Sequence, residues 1–386
     1  MNAYVKRDLY LNRLIVRRDN GQIKAVTGPR RSGKSFLLDP IYKDYLLSKG
    51  VPEDNIIIIS FDIEDEDTPQ ELLDREKLKE YLYSRIASQT ENYYVFLDEI
   101  QEVDGFERIV NGLNKRQNVD VYVTGSNSKF LSSEINTIFR GRSDEVSVLP
   151  FTFREFCQDR QESVNDLWKE YYTYGGLPAL RKMPTAEQKT TYLQKLWKKT
   201  YLDDVVDRHN VENREALEAI ADALCSSIGS LTNTTRITNT LGSVRKIKIT
   251  DDTVAKYIGY LEEAFLFNEA RRYNIKGNKY YENIKKYYSI DVGLRNARLN
   301  YRQLEQTHLM ENIIFNELLY RGYVVDVGVV EHRKMVDGKS EYKQYEVDFI
   351  ATDGNEKYYI QSAYEIETEE KREQELNSLK RIDDSF

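Results

Sequence analysis

The stretch Gly28-Pro29-Arg30-Arg31-Ser32-Gly33-Lys34-Ser35 fills the template G-x-x-x-x-G-K-[ST] without a mismatch. Before it, Ile23 to Thr27 reads as a short apolar strand; after it, Phe36, Leu37, Leu38, Ile41, Tyr42 and Tyr45 recur at helical spacing. A strand feeding a glycine-rich turn that opens a helix aims several backbone N–H groups at one point. The positive end of the helix dipole adds to that anion site. The expected contacts to a nucleoside triphosphate come from Gly28, Pro29, Arg30, Arg31, Ser32, Gly33, Lys34, Ser35 and Phe36. In such a loop the lysine, Lys34, reaches the β- and γ-phosphates and the Ser35 hydroxyl binds Mg2+. The plainer alternative is a basic turn between two elements. Pro40 falls inside the following helix, where an interior proline costs about 3 kcal/mol unless the helix bends or restarts. Nucleotide contacts come from the first turn, so binding is expected to survive it.

Bulk composition narrows the class. A chain of 386 residues is long for one domain, and two to four are expected. Hydrophobic residues make up 40% and charged ones 31%, ordinary for a globular protein, and no apolar run approaches the ~20 residues that span a bilayer. Met1 to Asp8 lacks the apolar core of a signal peptide, so a cytoplasmic protein is expected, with no membrane partner. Cys157 and Cys225, like His209, His308 and His332, are scattered, which argues against a disulfide framework and a zinc site. The net charge of −8 argues against a generic polyanion binder. Yet Arg236 to Arg298 holds 13 Lys and Arg against 7 Asp and Glu. A local basic face can bind phosphate backbones on an acidic protein; a merely solvated basic surface is the alternative.

From Gln22 to about Pro150 apolar runs alternate with helical patterns, the mark of a parallel α/β sheet. Ile56 to Phe61 reads as a strand buried on both faces, Asp62 to Asp67 as a solvated acidic loop, and Gln70 to Ser88 as a charged helix. Tyr93 to Leu97 then runs straight into Asp98-Glu99. At that strand end Asp98 would hold the magnesium shell and Glu99 would orient and polarise the attacking water. A further strand, Val119 to Thr124, ends in Gly125-Ser126-Asn127-Ser128, whose polar side chains could touch the γ-phosphate or the water. A strand-ending turn is the alternative there. Phe139-Arg140-Gly141-Arg142 precedes a last strand near Glu145 to Leu149. Either arginine could stabilise a phosphoryl transition state, in its own site or a neighbour's, or be a surface ion pair.

The set GPRRSGKS, YYVFLDEIQ, VYVTGSNS and FRGRSDEVSVLPFTFREF resembles the bacterial and archaeal AAA-type ATPases, relatives of origin-recognition ATPases. The resemblance runs from about Lys6 to Phe386. It implies a P-loop α/β ATPase core over residues 1–155, with Asp98-Glu99 on a strand between the P-loop strand and the sensor strand. It implies a helical lid over 156–212, a winged-helix domain over 213–300 and a restriction-endonuclease-like domain over 301–386. It also makes Ser126 and Asn127 candidate sensors and Arg142 a candidate finger or sensor. An arginine finger acting in trans would demand a homo-oligomer. ATP and Mg2+ are the implied cofactors; the motifs themselves do not separate ATP from GTP.

Beyond the core, Gly175-Gly176-Leu177-Pro178 breaks an aromatic-rich helical stretch, and Arg208 could reach the nucleotide or form a structural ion pair. Glu215 to Tyr273 reads as three short helices and a hairpin. Gly242 is expected to cap the second helix and Thr250 to open the third, and a basic turn through Arg271 to Gly277 suggests a wing. In the winged helix of this family that pattern would bring Lys248, Thr253 and Lys256 to a DNA major groove and Arg271, Arg272 and Lys276 to phosphates. Packing or subunit contact is the alternative. Near the end, Glu311 on a helix, Asp348 on a strand and Gln361 on the next match a nuclease core, where such acids hold magnesium. Ala363 stands where its lysine belongs, so nuclease activity is not expected and a retained binding or assembly surface is, for a protein partner or for DNA. The chain stops at Phe386 where this fold should return another strand, as a truncated sequence would. Three functions remain: a DNA-coupled ATPase, an ATP-regulated scaffold with no DNA role, and a magnesium-dependent nuclease.

Overall fold

The structure is a computed structural model that describes residues 4–62, 69–125, 138–139, 141–336 and 339–382. The chain divides into two compact units, Met1–Asp159 and Arg160–Phe386.

The first unit is a five-stranded parallel sheet flanked by helices. Its strands are β1 (Ile23–Thr27), β2 (Ile56–Ser60), β3 (Tyr93–Asp98), β4 (Val119–Thr124) and β5 (Ser143–Ser147), in the order β2-β3-β4-β1-β5. The helices are α1 (Asp8–Arg17), α2 (Lys34–Phe36), α3 (Lys43–Ser48), α4 (Arg75–Arg85), α5 (Phe106–Leu113) and α6 (Phe153–Phe156). Every residue of β1 and β4 is buried, as expected of interior parallel strands covered on both faces. Leu78 and Leu82 of α4 and Ile109, Val110 and Leu113 of α5 pack onto Val95, Leu97, Val121 and Val123. The pairing Lys24↔Tyr122 puts β4 beside β1, and Tyr93↔Val119 puts it beside β3. The expected order is therefore corrected: the sensor strand lies between the P-loop strand and the acidic strand. Pro40 interrupts its helix as anticipated. The residue before it, Asp39, is extended (φ −132°, ψ 113°), the conformation a following proline favours, and the helix resumes as α3.

The second unit runs α7 (Val164–Tyr174), α8 (Ala186–Lys195), α9 (Asp203–His209), α10 (Arg214–Ser226), α11 (Thr234–Thr240) and α12 (Asp251–Glu263). There follow β6 (Phe267–Asn274), β7 (Lys279–Ser289), α13 (Val292–Arg298), α14 (Gln306–Arg321), β8 (Val324–Val336), β9 (Lys339–Asp353), β10 (Glu356–Ile360) and α15 (Glu369–Leu379). Two glycine motifs interlock at its centre. Asp291 caps α13 by accepting the Leu294 N–H at 3.0 Å and also takes the Gly176 N–H at 2.7 Å. Asn296 donates to the carbonyls of Tyr172 and Thr173, closing the end of α7. A Cβ on Gly293 would lie 1.8 Å from the Tyr174 carbonyl oxygen, so only glycine lets the two helices meet this closely.

The hairpin expected as a wing is instead one edge of a second five-stranded sheet, ordered β10-β9-β8-β6-β7. Strand β6 pairs in parallel with β8, so the sheet takes strands from both sides of residue 300. Phe315 and Leu318 of α14 cover one face against Tyr288, Val327 and Phe349, and Leu379 of α15 packs with Val347 and Ile350 on the other. Gly242 does not end α11. The chain continues through a wide turn over Leu241–Arg245 and closes at Lys246, which adopts φ 61°. Thr250 does open α12, accepting the Thr253 N–H. Strand β10 stops at Ile360, so Gln361 and Ala363 lie past its end rather than on it. No described helix is long and apolar enough to cross a membrane.

Candidate functional site

Strand β1 delivers the chain into Gly28 (φ 132°), and the turn closes through Arg31 (φ 64°) and Gly33 (φ 93°) onto α2. A Cβ on Gly28 would sit 2.2 Å from the Val148 carbonyl oxygen, so glycine is required where the loop passes the end of β5. Lys34 folds across the loop: its ammonium is buried and donates to the carbonyls of Gly28 and Pro29, both at 3.0 Å. Burial pulls its pKa below the ordinary lysine value, with Glu99 and Asp98 opposing. Ser35 is exposed, and its hydroxyl donates to Asp98 Oδ1 at 2.9 Å. Phe36 is 48% exposed and meets the ring of Tyr4 edge-on.

Asp98 is a second focus. Thr124 Oγ1 donates to the same Oδ1 at 2.6 Å and accepts the Glu99 N–H at 2.9 Å. Burial raises the Asp98 pKa, the Thr124 hydrogen bond lowers it, and the neighbouring Glu99 raises it again. Glu99 sits in the left-handed region (φ 51°), turning its side chain out of the strand, where Gln101 Nε2 donates to its carboxylate. Ser35 and Asp98 therefore present hard oxygens to one point. That donor set fits Mg2+, which takes one or two protein oxygens and completes its shell with phosphate and water.

Thr124 was not singled out from the sequence. The available signal was a hydroxyl ending an apolar strand, directly before Gly125. Ser126, Asn127, Ser128 and Arg140 lie outside the described residues, as does most of the acidic loop after Asp62. Arg142 is exposed at the other end of the sheet. Its carbonyl accepts the Ile23 N–H at 2.8 Å, and Ile23 pairs with Ser143, so the whole of β1 separates it from Gly28. Five residues of strand span roughly 15 Å, which excludes Arg142 from its own chain's phosphate loop. In the second unit Arg208 pairs with Asp204, the ion-pair alternative.

The six expected DNA contacts separate. Lys248, Lys256 and Lys276 are exposed, and Thr253 is half-buried against Thr250. Arg271 lies over the exposed ring of Tyr280 at 4.0 Å. Arg272 is corrected: it is buried in the sheet, stacked near Tyr281 and donating to Gln344, so its guanidinium is not offered to a phosphate. The carboxylates of the nuclease-like pattern also differ from expectation. Glu311 accepts from Lys286 at 2.9 Å and from Tyr288 at 2.6 Å, while Lys286 also pairs with Glu346 at 2.8 Å. An amine thus does reach one of the pattern's acids, Glu311, from β7 rather than from position 363. Burial opposes the Lys286 charge, but Glu311 and Glu346 outweigh it and hold its pKa above the ordinary lysine value. Asp348 is buried and accepts from the Ser362 backbone at 2.8 Å and its hydroxyl at 2.6 Å.

Comparison with known proteins places these features. A family model described as an AAA domain matches residues 20–157, and one described as a domain of unknown function (DUF8612) matches 165–305. An uncharacterized protein of Haemophilus influenzae is 34% identical over 389 residues, covering 100% of this chain and 92% of its own. An uncharacterized protein of Methanocaldococcus jannaschii is 29% identical, covering 91% of this chain and 77% of its own. Among solved structures, Aeropyrum pernix ORC1 in complex with DNA aligns at 14% identity over 78% of this chain and 94% of that chain. Its TM-score is 0.34, a likeness too low to carry an argument.

Proposed function

The chain belongs to the AAA-type ATPase family, and on that premise we propose that it hydrolyses ATP with Mg2+ and couples hydrolysis to DNA. The observation that carries the catalytic part is the meeting of Ser35, Thr124 and Asp98 at one carboxylate oxygen, with Lys34 and Glu99 beside it. In this reading the backbone N–H groups from Arg30 to Ser35 bind the phosphates, and Lys34 leaves its loop carbonyls to meet their charge. Mg2+ supplies charge neutralisation at the transferring phosphoryl group, and Ser35 and Asp98 would hold it. Glu99, once free of Gln101, orients the attacking water. Arg142 would serve only a neighbouring copy.

The DNA part rests on residues 213–300, read as a winged helix, with exposed Lys248, Lys256, Arg271 and Lys276 as its phosphate and groove contacts. The buried Arg272 and the sheet that absorbs the hairpin favour a second reading, an ATP-regulated scaffold whose C-terminal region binds protein. The nuclease reading is set aside, because Glu311 and Asp348 are buried and spent on partners within the fold.

Steady-state ATP hydrolysis with and without duplex DNA, at low and physiological salt, separates the two readings. Phosphate-driven binding weakens steeply with salt, so both conditions are needed. Stimulation by DNA supports coupling; turnover indifferent to DNA at both salts favours the scaffold.

A further inference from the structure

A buried arginine grips the phosphate loop from behind. Arg7, just before α1, is 3% exposed, and each arm of its guanidinium is used. Nη1 donates to the Ser32 carbonyl at 3.0 Å, Nη2 to the Leu149 carbonyl at 2.7 Å, and Nε to Glu155 Oε1 at 3.0 Å. The rings of Tyr10 and Phe151 lie 4.6 and 5.1 Å from its central carbon. Glu155 is itself fixed, since its other oxygen accepts the Thr152 N–H at 3.1 Å.

The bond to Ser32 bears on the site through the neighbouring glycine. Gly33 has φ 93°, a conformation that glycine adopts freely, so the Ser32–Gly33 peptide can turn over at little steric cost. In a trans peptide the C=O and N–H point in opposite directions. Holding the carbonyl on the guanidinium keeps the Gly33 N–H facing the other way. A turned-over peptide would exchange a phosphate donor for a repelling oxygen.

We propose that Arg7 is a positioning residue for the nucleotide site: through the Ser32 carbonyl it keeps the Gly33 N–H in its phosphate-binding orientation. The inference rests on the ATP-binding reading. It is tested on the full chain with Arg7→Lys, which keeps a cation beside Glu155 but loses the fork that reaches Ser32. Glu155→Gln is the comparison, because it removes the ion pair and leaves the guanidinium on Ser32. The readouts are melting temperature without nucleotide and the Kd for a non-hydrolysable ATP analogue with Mg2+.

Both variants are expected to lower the melting temperature. Arg7→Lys is expected to weaken the analogue about tenfold or more, the loss of one oriented donor, and Glu155→Gln to stay within about twofold. Equal Kd changes in the two variants, or an unchanged Kd in Arg7→Lys, would make Arg7 purely structural and overturn the proposal. A wild type that binds no analogue, while keeping its melting transition, would instead bring down the nucleotide reading and this inference with it.

Discussion

The Thr124 hydroxyl donates to Asp98 Oδ1 at 2.6 Å while accepting the Glu99 N–H at 2.9 Å, so one side chain from β4 holds the Asp98 carboxylate and the Glu99 backbone just past the end of β3. An apolar isostere can do neither. Thr124→Val is expected to lower kcat by about 10- to 100-fold, since hydrogen bonds to charged groups contribute about 1.5–3 kcal/mol. ATP affinity should change little, and Thr124→Ser should keep most of the activity. Steady-state kinetics of the two variants check this. A Thr124→Val enzyme with normal kcat would remove Thr124 from the site.

Gly28 is held by space as well as by dihedral. Gly28→Ala places a methyl 2.2 Å from the Val148 carbonyl oxygen, and the Val148 N–H is bonded to Thr27 at 2.8 Å, so β5 cannot simply move away. The substitution should cost about 1–3 kcal/mol of stability and abolish ATP binding. Thermal unfolding and an ATP titration read both effects.

Lys286 sits between Glu311 and Glu346 with 3% of its side chain exposed. Removing it alone leaves Glu311 buried without its cation, so Lys286→Met should destabilise the chain by about 3–5 kcal/mol. Pairing it with Glu311→Leu should restore only part of that loss, because the orphaned carboxyl goes but the buried Tyr288 hydroxyl loses its acceptor. Denaturant unfolding of wild type, single and double variants measures the difference.

Asp291 gives a pH signature. Its burial pushes the pKa up to about 6 against an ordinary 3.8, so the folded state holds this proton more tightly than the unfolded one. The stabilisation is fully present below about pH 3.8 and is lost as pH rises through about 6. Asp291→Asn can still cap α13 but does not titrate. The stability of wild type relative to the variant should therefore fall between pH 4 and 7, measured by urea midpoints. A flat difference would contradict the buried-acid account.

Much of the first unit was legible because each of its motifs is local. The loop from Gly28 to Ser35, the strand ending in Asp98-Glu99 and the interruption at Pro40 are all written in neighbouring residues. Strand order was not, since register between distant strands depends on tertiary pairing: only the structure places β4 between β1 and β3. The same holds for Thr124 and Arg7, whose partners are 26 and 148 residues away in sequence. The hairpin after α12 misled for a related reason. A two-stranded pattern looks the same whether it stands alone or, like β6, has β8 along its free edge.

Glu99→Gln separates ATP binding from ATP hydrolysis. Its amide keeps the shape of the carboxylate but cannot accept a proton from, or polarise, the attacking water. ATP hydrolysis and ATP binding would be measured on wild type and Glu99→Gln with Mg2+. Turnover is expected from the wild type, with a loss of about 100-fold or more in the variant and ATP binding retained by both. Equal turnover in the two proteins would contradict this role of Glu99.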